Sequence, residues 1–199
     1  MESSWRRTVE PVNEPVTTAQ AKAHLRVEHS ADDDLIDALV MAARQRLEEE
    51  TGRAWITQTW QLTLLNPPAG RAVRLPRPPL ISVTSVTYRD ADGDTQTLAG
   101  SDYQVVTQVS PGLVWLSVNS GWPSGPNDGT LGLWTVTYMA GWGATATTVP
   151  GPLVQALLLL VGHLYENREA VVVGANAIKL PMAVDWLVMP FRLARQEYP

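Results

Sequence analysis

The side chains in this 199-residue chain that could do chemistry are few and scattered. The three histidines, His24, His29 and His163, stand in no HxxxH or HxH arrangement that would bring two imidazoles to one metal. His163 lies in an apolar stretch beside Tyr165 and Glu166, which fits a hydrogen-bonded packing histidine better than a general base. Asp32, Asp33 and Asp34 run in succession, but successive helical positions point about 100° apart and cannot close round one ion. They suit the first turn of a helix, where the dipole favours negative charge. Glu48, Glu49 and Glu50 form a second acidic run, expected to be a solvated face. No G-x-S-x-G elbow, P-loop or dinucleotide fingerprint is present. Gly125, Gly129, Gly132, Gly141 and Gly143 lack a following helix whose N-terminus would hold a phosphate. With no cysteine, thiolate metal sites, disulfides and cysteine nucleophiles are removed together. The expectation is no enzyme, with no catalytic, cofactor-binding or metal-binding residue and no cofactor.

Tryptophan is the remaining chemical signal. Six of the eight lie in or beside a β-patterned region: Trp55, Trp60, Trp115, Trp122, Trp134 and Trp142. Exposed indoles on a β-sandwich stack on sugar rings, so a carbohydrate-binding module is the alternative function, with an unrecognised hydrolase behind it. Trp60, Trp115 and Trp134 are expected to fill the core, and Trp122 and Trp142, beside glycines, to be the more exposed.

The formal net charge is -5, and the arginines are spread along the chain instead of gathering into a stripe that would hold phosphates. Nucleic acid is not the expected ligand. Met1 to Arg7 carries charge but no apolar h-region follows, so no secretory signal is expected. The longest apolar run, Leu153 to Val161, falls short of the roughly 20 residues a bilayer crossing requires, and a soluble protein is expected.

The elements that must position these residues follow from period and caps. Thr17 and Gln20 have the spacing of a capping box and predict a short helix to about Val27. Ser30 reads as the N-cap of a longer helix in which Leu35, Ile36, Leu39, Val40, Ala43 and Leu47 form one stripe and Gly52 is the stop. The period then changes to 2, with Trp60, Leu62 and Leu64 alternating with Gln61 and Thr63. Further strands are predicted at 72–75, 81–89, 95–98, 103–107, 113–116 and 133–139, with a hairpin at Ala91-Asp92-Gly93-Asp94. From Pro152 the helical period returns through Leu153, Ala156, Leu157, Leu160, Val161 and Leu164. A loop at 169–179 is expected to expose Val171, Val172 and Val173, and a last helix is predicted over 183–197, broken or bent near Pro190. The fold class expected is α+β: a helical bundle, two helices N-terminal and two C-terminal, with an inserted antiparallel β domain, a small sandwich or barrel. The helical body takes 1–55 and 150–199, and the β domain 56–149.

Several local strings carry a resemblance. They are Glu49-Glu50-Thr51-Gly52-Arg53-Ala54, then Thr57-Gln58-Thr59-Trp60, then Leu75-Pro76-Arg77-Pro78-Pro79-Leu80 leading into Ser82-Val83-Thr84. Val136-Thr137-Tyr138 with Ala140-Gly141-Trp142-Gly143 follows, and last Gly162-His163-Leu164-Tyr165-Glu166-Asn167-Arg168-Glu169-Ala170. In their order and spacing, over roughly 15–192, they resemble the phage head-tail connector (adaptor) family. The resemblance implies a structural subunit of a tailed phage or phage-like particle. It would sit in the virion at the head-tail interface after assembly in the bacterial host cytoplasm. Its implied partners are further copies of itself in a dodecameric ring, the portal protein, and a downstream stopper or tail-completion protein. DNA passes only as cargo, and no membrane is involved. By the family's pattern, C-terminal segments meet the portal, and the matching positions are Trp186, Leu187, Phe191, Arg192 and Tyr198. The apolar loop, with Val171, Val172, Val173 and Ile178, is a second candidate contact. Residues 2–13 depart from the resemblance and carry no implied role.

Overall fold

The order of elements follows the periodicities: a block of strands over 58–140 stands between two helices before it and two after it. The computed structural model describes residues 3–66, 68, 70–124, 133–167 and 182–193. It divides into a helical unit, Asn13–Ile56 with Gly143–Ala194, and a β unit that includes Met1–Val12 and Thr57–Trp142. The class is α+β, with the β elements inserted between helices.

In the helical unit, α1 (Thr18–Leu25) starts on the predicted capping box. The Thr17 backbone N–H donates to Gln20 Oε1 at 2.9 Å and the Gln20 N–H donates to Thr17 Oγ1 at 3.2 Å. Helix α2 (Asp33–Thr51) starts later than expected: the cap position is Asp32 instead of Ser30. Asp32 makes no side-chain capping bond. Its carboxylate accepts the Tyr165 hydroxyl at 2.5 Å from α3 (Gly151–Glu166). Asp33 pairs with Lys22 at 2.6 Å, and Asp37 accepts the Thr18 hydroxyl at 2.5 Å. The acidic start of α2 therefore fastens α1 and α3 as well as answering the helix dipole. Ile36, Val40, Ala43 and Leu47 of α2 are buried, as are Leu153, Ala156, Leu157, Leu160 and Val161 of α3. Gly52 ends α2 in the left-handed conformation, φ 70°.

Glu48 corrects the solvated-face expectation for the acidic run. It is buried, its Oε2 accepts from Arg44 at 2.8 Å, and its Oε1 accepts the Trp55 backbone N–H at 2.8 Å. Arg44, itself 1% exposed, also holds Glu14 at 2.7 Å. Burial works against the charge on Arg44, but the Glu14 hydrogen bond and the charges of Glu48 and Glu14 outweigh it and raise its pKa. Acidic residues four apart from a buried arginine belong inside when the chain on either side brings further donors.

The last helix is shorter than predicted. Helix α4 (Met182–Val188) stops before a 3-10 turn, Met189–Phe191, and Arg192 is extended. Pro190 lacks an N–H and restricts the residue before it, and of the break or bend expected there the structure shows the break.

The β unit holds two antiparallel sheets. Strands β1 (Ser3–Val9), β2 (Gln58–Leu64), β8 (Trp134–Ala140), β4 (Leu80–Arg89) and β5 (Thr95–Thr97) stand in that order in the larger. The smaller has the order β3 (Ala72–Arg74), β7 (Leu113–Leu116), β6 (Tyr103–Val106). Among the described strands neither sheet closes on itself into a barrel. In β2 and β8 every second residue is buried, as the period of 2 requires. The hairpin at Ala91 forms as predicted: Gly93 has φ 85°, and Asp90 Oδ1 accepts the N–H groups of Asp92 and Asp94 at 3.1 and 2.9 Å. The Gln96 amide donates to the same carboxylate, and these bonds hold the Asp90 pKa below its ordinary value.

Strand β1 was not expected from the sequence. It pairs with β2 from Ser3 opposite Leu64 to Val9 opposite Thr59, with an irregularity between Arg7 and Val9. Arg6 donates twice to Gln61 Oε1, at 3.2 and 2.9 Å. Arg7 donates to Gln58 at 3.1 Å and lies 5.8 Å from the Trp60 ring centroid, with Arg77 at 5.2 Å from the same ring. Segment 3–9, placed with the helical body on sequence grounds, is thus sheet.

Trp115 also differs from expectation. Trp60 and Trp134 are buried, but Trp115 is 45% exposed. Val114 and Leu116 supply the buried side of β7, so alternation turns Trp115 to the other face.

Candidate docking surfaces

Among the described residues of the helical unit, the most exposed large apolar side chains other than Met41 cluster on α4 and the turn after it. Val184 and Val188 are fully buried and fix its inner side. Met182, Trp186 and Met189, at spacing i, i+4 and i+7, are 83%, 76% and 56% exposed. The spacing puts Met182 and Trp186 on one stripe of α4, and Met189 follows at the start of the 3-10 turn. Anchored from behind and apolar in front, α4 has the geometry of a contact helix.

The segment after α4 holds it in place. Arg53 Nε donates to the Phe191 carbonyl at 2.7 Å, and the Leu193 N–H donates to the Thr51 carbonyl at 3.0 Å. The Leu193 side chain lies against Gly52, at the end of α2. Arg192 bridges Asp185 at 2.5 Å and Glu50. The hydrogen bond to Asp185, opposed by slight desolvation and helped by the charge of Glu50, raises the Arg192 pKa and keeps it cationic.

These contacts separate the sequence candidates. Trp186 is open to solvent, whereas Leu187, Phe191 and Arg192 are half-buried, with Arg192 committed to carboxylates of its own unit. Val171, Val172, Val173, Ile178 and Tyr198 lie outside the described residues. Sequence reasoning missed Met182 and Met189. Their signal was the helical spacing to Trp186, opposite in phase to Val184 and Val188.

The tryptophans expected in open loops are partly engaged. Trp122 is half-buried, its Nε1 donates to the Gly70 carbonyl at 2.8 Å, and its ring meets Trp134 edge-on at 5.2 Å. Trp142 is half-buried as well. The more exposed indoles of the β unit are Trp115, between Ala72 and Gln104 in register, and Trp5 on β1. No group of three or more His, Cys, Asp or Glu able to hold a metal occurs among the described residues. Among them, too, no helix is long and apolar enough to cross a membrane.

On the exposed side of the larger sheet, polar residues replace the apolar ones. Ser4, Thr63, Thr135, Thr87 and Thr97 stand opposite one another, strand by strand, across all five strands. Arg6, Gln61, Thr137 and Ser85 form the next row. Opposed hydroxyl pairs of this kind contribute modestly to pairing and leave a face with few charges.

No protein-family model matches the chain, and no curated protein matches it. Solved structures do. The fold is that of a chain in the neck of an empty GTA particle computed with C6 symmetry, with a TM-score of 0.80 and 24% identity over 98% of this chain and 97% of that one. A chain of the virion of a native gene transfer agent (GTA) particle matches with a TM-score of 0.75 and 24% identity, covering 96% and 97%. A chain from the neck of the native GTA particle, computed with C12 symmetry, gives 0.71 and 25% over the same shares. The likeness therefore includes both the helical and the β elements.

Proposed function

We propose that this chain is a structural subunit of the neck of a phage-like particle, an adaptor that assembles in a ring, docks on the portal and bridges to a tail-side component. The observation that carries this reading is the likeness of nearly the whole chain to chains of gene transfer agent necks. Symmetric necks repeat one subunit about an axis, and a heterologous contact repeated at a fixed angle closes a ring. Within the helical unit α2 packs on α3, and within the β unit the strands are joined by hydrogen bonds, so each unit can present a fixed surface to a neighbour. The work required is docking, and no step of it needs a cofactor.

Helix α4 is the portal-facing element in this reading, with Trp186 as its central anchor and Met182 and Met189 beside it. Exposed tryptophan and methionine on a firmly held helix are the side chains that dominate interfaces. Arg192 acts behind them by holding Asp185 and Glu50, so it positions α4 instead of reaching the partner. The segment with Val171, Val172, Val173 and Ile178, together with Tyr198, is proposed as additional contact surface. DNA is cargo: the net charge of -5 disfavours tight retention of phosphates in a conduit.

Gel filtration of the protein mixed with the portal ring of its own particle tests this function. Co-elution that is lost with Trp186→Asp, while the variant alone keeps the wild-type melting temperature, is the expected result. Separate elution of the folded wild-type protein would overturn it.

A further inference from the structure

We propose that the two open edges of the five-stranded sheet, β1 and β5, meet between neighbouring copies of this chain, head to tail. The inference rests on the ring reading above and names the contact that closes it. Strand β1 is seven residues long, contains no lysine or proline, and is irregular only near its end, between Arg7 and Val9. On the side away from β2 it pairs with no described strand. Arg6, Arg7 and the irregularity before Val9 limit indiscriminate pairing along the second half of this edge, while Ser3, Ser4 and Trp5 leave its first half without charge. It also exposes apolar surface, with Trp5 at 39% and Val9 at 54%.

The opposite end of the same sheet supplies a different open edge. All three residues of β5 are exposed, and β5 pairs only with β4 among the described strands. A head-to-tail contact requires two distinct surfaces on one molecule, and a sheet ending in two unpaired edges provides them. Their charges differ in sign. Exposed Arg6 lies on β1, whereas Asp90, Asp92 and Asp94 lie at the turn leading into β5. The acidic turn disfavours β5 against a second β5.

Register and direction agree with the pairing. The row from Ser4 to Thr97 spans the sheet on one face, so a neighbour's β5 beside β1 would continue the hydroxyl row from copy to copy. Every adjacent pair in the five-strand order is antiparallel, so β1 and β5 run the same way and the junction is parallel. With only three residues in β5, the junction makes few backbone bonds, and covering Trp5 supplies the apolar part.

The chain contains no cysteine, so engineered pairs report this contact without background. Paired strands lie about 4.8 Å apart, within the roughly 4.4–6.8 Å Cα separation that a disulfide spans. Ser4→Cys combined with Thr97→Cys, and in parallel with Thr95→Cys to sample a shifted register, is oxidised on the portal-bound protein. The expected result is a ladder of covalent oligomers from the double variants and none from either single variant. Dimers from Ser4→Cys alone would mean that β1 meets another β1, and would overturn the proposal. Absence of cross-links in both double variants, while many copies co-elute with the portal, would also overturn it and leave the adaptor reading intact. Failure of the folded variants and of the wild type to bind the portal or one another would remove both.

Discussion

At the residue scale, the most consequential group is the buried Arg44 with its two carboxylates. Glu14 precedes α1, Glu48 lies in α2, and Glu48 also receives the Trp55 N–H, so one cluster fixes the chain on both sides of the helical hairpin. Arg44→Ala leaves the Glu48 carboxylate buried without its cation, and a loss of about 3–5 kcal/mol is expected, read from urea unfolding. A loss under about 1 kcal/mol would mean that water replaces the guanidinium. Gly112 is the second sensitive position. A Cβ there would stand 2.5 Å from Leu80 Cβ, closer than atoms approach. Gly112→Ala is expected to cost about 1–3 kcal/mol by overpacking. Combining it with Leu80→Gly, which removes the Cβ it would strike, should give less than the sum of the two single losses, which a double-mutant cycle measures.

Neither feature stands out in the sequence. Glu48 is one of three consecutive glutamates, and only the tertiary arrivals of Glu14, Arg44 and Trp55 single it out. Trp115 stands between Val114 and Leu116 in an all-apolar run, unlike Trp60 between Thr59 and Gln61, so no alternation marks its face, and which face is covered depends on the sheet it joins. The Trp60 and Trp134 core positions were legible because their strands are central and buried on alternate residues. Trp186 was legible as a large apolar residue late in the chain, but its exposure was not.

At the element scale, what was readable depended on local physics. The capping box starts α1, the apolar stripe gives α2 and α3, and the period of 2 gives β2 and β8. Strand β1 was hidden because an edge strand exposes most of its residues and shows no alternation. The start of α2 moved from Ser30 because the Asp32 carboxylate is held by Tyr165, a partner far along the chain. Helix α4 ends early because Pro190 closes it with a 3-10 turn. The consequence for α4 is a separation of stability from binding. Trp186→Ala should change the unfolding free energy by no more than about 0.5 kcal/mol, since the side chain is largely in water. The same substitution should weaken portal binding by about 30-fold or more, as loss of a central anchor does. Arg192→Ala is expected to lower both, because it releases Asp185 and Glu50 and with them the hold on α4. Equal loss of binding and stability in Trp186→Ala would assign that residue to the core instead.

At the scale of the whole molecule, the proposed ring subunit draws on two features: exposed apolar side chains on a short, strapped helix, and a sheet whose two edges pair with no described strand. In the proposed ring the first would meet the portal and the second a neighbouring copy. The likeness to neck chains, which spans nearly the entire length of each partner, extends to the β insertion as well as the helices. The measurement that tests this account most directly is the light-scattering mass of the complex formed with the portal ring of the same particle. The account predicts a mass that exceeds the portal's by many copies of the 21.8 kDa chain, in a fixed number that does not change with excess protein. A complex with one or two copies per portal, or a portal mass unaltered by the folded chain, would contradict it.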